Sequence, residues 1–319
     1  MFSLGLDIGG TKIEALVLDA RGREVYRKRF NTEKQSYETF FQSVIDIIEN
    51  TQHSVSQAMS IGMCLPGTVE PSNGLIKNSN ILVLNQKPFA SMLEQACGQP
   101  VAISNDANCF TLSEAIDGAG KGYPVVFGAT LGTGVGGGVT IDQIVIDGRN
   151  RCAGEWGHNG LPRFEPARDG DVVPCYCGQT NCIETFLSGT GLAERFRKRF
   201  GRNLNSLQII EAWHEDDEQA IYAIDLFQDQ LARALADVVN IIDPNIIVIG
   251  GGLSNSRDLY KGLEKRIARY VFSNTFTTPV ALAVHGDSSG VRGAAWLGRQ
   301  AVQRKTSSNE ELKHFNVST

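Results

Sequence analysis

Three of the chain's seven cysteines fall within eight residues, in CYCGQTNC at 175–182. A disulfide framework, a redox thiol pair and a metal site can all use cysteines this close together. The C-x-C-x4-C order lacks the C-x-x-C of redox pairs, and an odd total weakens the disulfide reading. His158, seventeen residues upstream of the first cysteine, completes a Cys3His set of the tetrahedral zinc type: His158, Cys175, Cys177 and Cys182. Four protein ligands leave no open position, so such a metal is structural. Cys64, Cys97, Cys109 and Cys152 read as buried or incidental thiols. A second kind of chemistry sits in Asn105-Asp106, between an apolar stretch and a helical pattern. Asp106 is either a plain helix N-cap or a base that receives a hydroxyl proton. Glu155 in GEWGH and Glu184 in NCIE flank the cysteine cluster. His285 in VHGDS has no matching partner and reads as a turn histidine, with Asp287 as a cap for the last helix.

Three glycine-rich turns could hold an anion on backbone N–H groups, since glycine removes the Cβ that would block the approach. They are DIGGTK (7–12), LGTGVGGGV (131–139) and IGGGLS (249–254). Gly5 and Gly10 have Walker-A spacing, but Thr11-Lys12 reverse the Lys-Ser/Thr order that motif needs. No G-x-G-x-x-G links a strand to a helix, so the dinucleotide fingerprint is missing. One such turn alone is a hairpin. Three, each after an apolar strand pattern, fit a nucleotide held along its phosphates.

The elements that must carry these residues follow from periodicity. Residues 1–32 alternate apolar runs with turn signals and predict three antiparallel strands. Phe40, Val44, Ile47 and Ile48 are spaced for a helix within 36–57. AMSIGMC and PVAIS predict buried strands, and 107–119 a helix beginning near Asp106. Strand, glycine turn and strand recur over 125–146. A long amphipathic helix over 218–242 leads into the apolar strand NIIVIG, and 288–302 closes the fold as a helix. The two halves share this pattern without detectable sequence identity, which suggests a duplicated topology. The polar residues 304–319 read as a loose tail.

Composition narrows the class. The chain has 319 residues, is 42% apolar and 20% charged, and carries a net charge of −5. That size and balance suit a soluble globular protein of two domains. An acidic chain without a dense basic block is not expected to bind nucleic acid. The nearest basic run, RFRKRFGR at 195–202, reads as one helix with a solvated face. No segment approaches the ~20 apolar residues of a membrane span, and the N-terminus lacks an export signal. The expected location is cytoplasmic, where thiols stay reduced.

DIGGTK, NDAN, LGTGVGGG, GEWGH…CYCG…NCIE and IGGGLSN, in this order and along nearly the whole chain, resemble the ROK family of bacterial sugar kinases. The resemblance implies an α/β fold of the actin/hexokinase/Hsp70 type, with two domains and ATP between them. It implies a small domain of 1–118 plus about 289–303 and a larger one of 119–288. Asp7, Gly9, Gly10, Thr11 and Lys12 would form a first phosphate loop, and Gly132, Thr133 and Gly134 a second. Gly250, Gly251, Gly252, Leu253 and Asn255 would face the adenosine. Asp106 would be the general base, and Asn105, Asp106, Glu155, His158 and Glu184 would surround the hexose, with Gly67 and Asn80 as weaker contributors. The family also carries the zinc on His158, Cys175, Cys177 and Cys182, with Asn181 here where glycine is commoner. Mg²⁺ would accompany ATP, and a homodimer is expected.

Within the family, GEWGHN, VPCYCG, CIETFLSGTG and HGDSSGVRGAAWL look most like the fructokinase (mannofructokinase) branch, with N-acetylglucosamine kinases beside it. The expected reaction is ATP-dependent phosphorylation of fructose at the 6-hydroxyl. Domain closure would hinge near Gly118–Gly120 and Ser288–Gly290. Family members that are repressors carry a winged-helix domain ahead of the core, for which a phosphate loop at Asp7 leaves no room. A catalytically dead sensor would lack the base or a phosphate loop, and both are present.

Overall fold

A computed structural model describes the backbone of residues 1–316 and the side chains of residues 1–305 apart from Asp287. The proposed cap at Asp287 therefore lies outside the described side chains. The chain forms two compact units. Unit 1 comprises Met1–Ser113, Asp147–Cys152 and the chain from Asp287 onward; unit 2 comprises Glu114–Ile146 and Ala153–Gly286. Compared with the sequence-based division, unit 1 gains the strip 147–152 and loses 114–118 to unit 2, because the chain crosses between Ser113 and Glu114.

Unit 1 is built on a five-stranded sheet of order β3-β2-β1-β4-β7. Its strands are β1 (Phe2–Ile8), β2 (Lys12–Leu18), β3 (Glu24–Asn31), β4 (Met59–Cys64) and β7 (Val101–Ser104). The first three are antiparallel, and β1, β4 and β7 run parallel. A small hairpin of β5 (Thr68–Val69) and β6 (Ile76–Lys77) lies apart from that sheet. In β2 six consecutive residues from Ile13 are buried, whereas β3 is mostly exposed and rich in Arg and Lys. Charge on β3 protects an edge that would otherwise recruit further strands.

Helix α1 (Tyr37–Val55) is started by a capping box between Ser36 and Thr39 and buries Phe40, Val44, Ile47 and Ile48 as their spacing predicts. Helices α2 (Phe89–Cys97) and α3 (Asp106–Asp117) follow. The last helix runs from Ser289 to Asn316, well past the end near residue 302 read from the sequence. It lies on β1 and β4 at backbone contact. A Cβ on Gly5 would stand 2.1 Å from the Val291 carbonyl oxygen, and one on Gly62 1.9 Å from that of Ala294. Both strands need glycine there for this helix to seat.

Unit 2 repeats the plan. Its sheet has the order β10-β9-β8-β11-β12, with β8 (Val125–Leu131), β9 (Val135–Ile141), β10 (Ile144–Val145), β11 (Ile246–Gly250) and β12 (Val280–Leu282). Again the first three strands are antiparallel and the rest join in parallel. The duplicated topology suggested by the sequence is thus present in the strand order of both sheets. Between β10 and β11 lie α4 (Pro166–Asp169), α5 (Glu184–Leu187), α6 (Gly189–Phe200), α7 (Ser206–His214) and α8 (Glu218–Ile242); α9 (Leu263–Ile267) precedes β12, and the last helix of the chain is α10.

Arg233 of α8, fully buried, donates to Asp169 and to the backbone oxygens of Pro162 and Arg163, which anchors that loop to the core. His285 departs from its sequence reading. Its Nε2 meets Asp117 Oδ1 at 3.0 Å, and its backbone N–H donates to Glu114. The partner lay 168 residues away, beyond the reach of any local pattern.

Candidate active site and metal centre

Each unit carries its own set of candidate groups. In unit 1 the β1–β2 turn is closed by a Gly9 N–H bond to the Lys12 carbonyl oxygen at 2.9 Å. Two residues absent from the motif support it: Thr32 donates to the Gly9 carbonyl and Lys34 Nζ to that of Gly10. Thr11 and Lys12 are exposed, and the open space over Gly10 leaves its backbone accessible. Asp7 is the last polar side chain of β1 before the turn. Burial pushes its carboxyl up to about 6, opposed by a hydrogen bond with Cys64 and reinforced by the charge of Asp106. Cys64 is therefore more than an incidental thiol. It is buried between Asp7 and Cys109, and its own pKa rises well above normal through the Cys109 hydrogen bond, burial and the charge of Asp7.

The N-cap question resolves in favour of Asn105. Its Oδ1 accepts the Asn108 N–H at 2.8 Å, while Asp106 is the first residue of α3. Asp106 places Oδ1 on the Ala107 N–H at 2.9 Å, and the side chain is exposed. With the capping duty on Asn105, the exposed Asp106 carboxylate is left at the positive end of α3. Gly67 and Asn105 line one small polar recess with Asn108, Asp147 and Arg151; Asn80 is exposed and not part of it. Gly67 has φ +98°, and a Cβ there would lie 2.5 Å from the Lys77 carbonyl oxygen, so no other residue fits. Asn108 was missed by the sequence reading although it closes the NDAN motif. Its Nδ2 donates to Ser104 and Asp147, and its buried Oδ1 has no protein partner.

In unit 2 the glycine run 132–138 divides into two functions. Gly132–Gly134 form the β8–β9 turn. Gly136 and Gly137 belong to β9 and make room for the 154–157 loop: Trp156 Nε1 donates to the Gly136 carbonyl oxygen at 2.7 Å, and a Cβ on Gly137 would lie 2.6 Å from the Trp156 ring. The glycine-rich run 131–139 read as one turn is thus a turn at Gly132–Gly134 followed by strand, because local sequence does not distinguish a glycine that frees a backbone N–H from one that admits an indole. The turn itself is held from outside. Gly189 N–H donates to the Gly132 carbonyl oxygen and Thr190 Oγ1 to that of Thr133. Glu184 Oε2 accepts the Val135 N–H at 2.9 Å and approaches Gly134 so closely that a Cβ there would lie 2.6 Å away. The third loop lies alongside. Gly251, at φ +82°, faces the Leu131 backbone, and Gly252 to Asn255 form a 3₁₀ turn. Leu253 is buried in the core, which leaves only its backbone for a ligand; Gly252 and Asn255 are exposed.

The four proposed zinc ligands come together. All four ligand atoms lie within 4.8 Å of one another. His158 Nδ1 stands 3.7 Å from Cys175 Sγ, and Cys177 Sγ stands 3.6 Å from Cys182 Sγ. A tetrahedron with metal–sulfur bonds of about 2.3 Å and metal–nitrogen bonds of about 2.0–2.1 Å has edges of about 3.5–3.8 Å, so these residues fit the ion. His158 Nε2 meets the Tyr176 hydroxyl at 3.0 Å, which leaves Nδ1 to the cluster. The strand-like bridges Gly160–Cys182 and Pro174–Thr180 bring the loop back on itself. Glu155 is exposed three residues before His158, and its carbonyl oxygen accepts the His158 N–H.

A sheet-and-helix unit occurring twice with the same strand order, with glycine turns between the first two strands and an Asp at a helix start, is the class of fold seen in ROK sugar kinases. The ROK family model matches residues 3–301, and the chain belongs to the ROK family. It is 38% identical over 296 residues to an N-acetyl-D-glucosamine kinase of Pectobacterium atrosepticum, covering 92% of this chain and 97% of that protein. Among solved structures it is similar to a ROK hexokinase from Thermus thermophilus, with a TM-score of 0.85 and 27% identity, covering 95% of this chain and 100% of the other. A ROK family glucokinase from Streptomyces griseus, solved with glucose and AMPPNP, matches with a TM-score of 0.73 and 27% identity over 94% of this chain and 100% of its own. The fold is that of ROK kinases, as the motifs implied. The fructokinase branch is not what these relatives support.

Proposed function

We propose that the protein transfers the γ-phosphoryl group of ATP to the 6-hydroxyl of N-acetylglucosamine. The sequence motifs alone favoured fructose and held N-acetylglucosamine as the alternative; 38% identity to an N-acetyl-D-glucosamine kinase along 92% of the chain now favours that alternative. The observation that carries the chemistry is the exposed Asp106 carboxylate at the start of α3, relieved of capping by Asn105. It receives the proton of the attacking hydroxyl, while transfer depends mainly on positioning and charge neutralisation.

Unit 1 supplies Lys12 and the Gly9–Gly10 turn to the phosphates, and unit 2 supplies the Gly132–Gly134 turn and the Gly250–Asn255 loop to the nucleotide. Mg²⁺ entering with ATP would supply charge neutralisation on the phosphates. Asn105, Glu155 and Glu184 bind sugar hydroxyls. Glu184 serves two roles at once, because its Oε2 already holds the turn at Val135. His158, Cys175, Cys177 and Cys182 would hold a zinc ion with four protein ligands, leaving no position for bond making; such an ion would tie the Glu155 loop to the Glu184 loop and so fix two sugar ligands.

A coupled assay of ADP release with N-acetylglucosamine, fructose, mannose and glucose tests the reading. N-acetylglucosamine is expected to have the highest kcat/KM, by about tenfold or more, which is roughly 1.4 kcal/mol of transition-state binding. A tenfold advantage for fructose would restore the fructokinase reading.

A further inference from the structure

The basic run 195–202 is only half the solvated face its sequence suggests. Arg197 and Lys198 are exposed and pair with Glu194. Arg195 instead lies over the Phe186 ring, 4.0 Å from its centroid, and Arg199 over Tyr222 at 4.3 Å. Between α6 and α8 the structure holds a cavity of about 180 Å³, lined by Phe186, Leu192, Phe196, Leu226, Phe227 and Arg195 among others. Phe186, Phe196 and Phe227 are at most 2% exposed. This volume is of the order that accommodates a benzene-sized body.

The charge in this cavity is unbalanced. Asp169, which also lines it, is saturated: it accepts from Arg233, Arg168, Gln230 and the Glu165 N–H. Asp171, at the exposed rim, offers Arg195 its charge but no hydrogen bond. Arg195 therefore has neither a hydrogen-bond acceptor nor an ion-pair partner among the described residues. A partly desolvated guanidinium above an aromatic floor, with its N–H groups unmet, is complementary to an anionic group on an apolar body. The same helix reaches the second phosphate turn, where Gly189 and Thr190 hold the Gly132 and Thr133 carbonyls.

We propose that this cavity is an effector site for a small amphipathic monocarboxylate, its apolar body among the phenylalanines and its carboxylate on Arg195, felt at the Gly132–Thr133 turn through α6. The coupling rests on the phosphate-loop reading above; the binding does not.

The test uses the full chain with 3-phenylpropionate as probe and 3-phenylpropan-1-ol as its uncharged counterpart, read by thermal shift and by the KM for ATP. The carboxylate is expected to stabilise the protein with an apparent affinity at least tenfold better than the alcohol. Arg195→Met, which keeps the stem over Phe186, is expected to lose that preference, and Leu226→Trp, which fills the cavity, to lose both ligands. Saturating carboxylate is expected to change the KM for ATP at least twofold in the native protein and not in Arg195→Met. Equal binding of acid and alcohol, or an undiminished preference in Arg195→Met, overturns the site. Should that variant fail to fold, Leu226→Trp decides: unchanged carboxylate binding there overturns it. Binding without any change in the KM for ATP overturns the coupling and leaves the phosphate-turn assignment to be tested separately by the Thr190 variant described below.

Discussion

In unit 1 the turn between the first two strands is short and charged. Gly9 and Gly10 stand between Asp7 and Lys12, with Lys34 anchoring one carbonyl. In unit 2 the matching turn, Gly132–Gly134, has no charge of its own. It is held by groups from α5 and α6: Glu184, Gly189 and Thr190. Both turns join the first two strands of sheets with the same strand order. The shared topology therefore determines where an anion-binding turn can lie. Whether its charge and support come from neighbouring sequence or from distant elements is decided separately in each unit. Unit 1 concentrates its candidate groups in short local motifs, whereas unit 2 disperses them over loops that a His-Cys cluster and a buried ion pair draw together.

The largest effect is expected in the locally encoded unit. Asp106→Asn keeps the shape and the bond to Ala107 but removes the proton acceptor, so kcat should fall by about 10²–10⁴ with sugar affinity largely retained. Near-normal turnover would end the general-base assignment. In unit 2 the corresponding break is the metal. Elemental analysis should find one zinc per chain, and Cys177→Ala should lose it together with several kcal/mol of local stability. Hydrogen exchange should then quicken in Val135–Ile141 while Phe2–Ile8 stays protected; equal protection in both variant and parent would break the contrast between the units.

Asp7 gives a finer comparison, because its burial is a cost to the fold. With a folded pKa of about 6 against an ordinary 3.8, the native state holds a proton the unfolded chain has released between those values. Stability contributed by this group therefore falls as pH rises from 3.8 to 6, and the cost is complete above pH 6, at about 3 kcal/mol as an upper bound. Asp7→Asn should gain stability relative to the parent as pH rises from 4 to 7, with activity lost. A stability difference independent of pH would contradict the burial argument. The smallest effect is expected at the distant support of the second turn. Thr190→Val removes one hydrogen bond to the Thr133 carbonyl, worth about 1 kcal/mol, and should raise the KM for ATP roughly fivefold with kcat little changed. An unaltered KM would detach that turn from the nucleotide.

Much of the fold was legible because its signals are local. The apolar periodicity of residues 1–32, the spacing of Phe40, Val44, Ile47 and Ile48, and the run NIIVIG each report burial over a few residues, and each became the predicted element. The turn at DIGGTK and the clustering of His158 with the three cysteines were legible for the same reason. What escaped depends on partners far away in sequence. The His285–Asp117 contact spans 168 residues, and the Arg195 stack on Phe186 turned a face read as solvated into a cavity wall. The last helix ran past residue 302 because polar composition there was taken for an end, and nothing in it breaks a helix.

The sequence by itself determined the two-fold repetition of strand, turn and strand, the identity of the chemical groups, and which four side chains could gather as a metal-ligand set. All of these depend on residue type and short spacing. Only the tertiary structure decided which glycines free a backbone and which admit Trp156, that Asn105 rather than Asp106 caps α3, and that Cys64 shares a buried site with Asp7. A glycine, an Asn-Asp pair or a lone thiol is chemically ambiguous alone. Its role is set by which atoms approach it, and those atoms arrive from other parts of the chain.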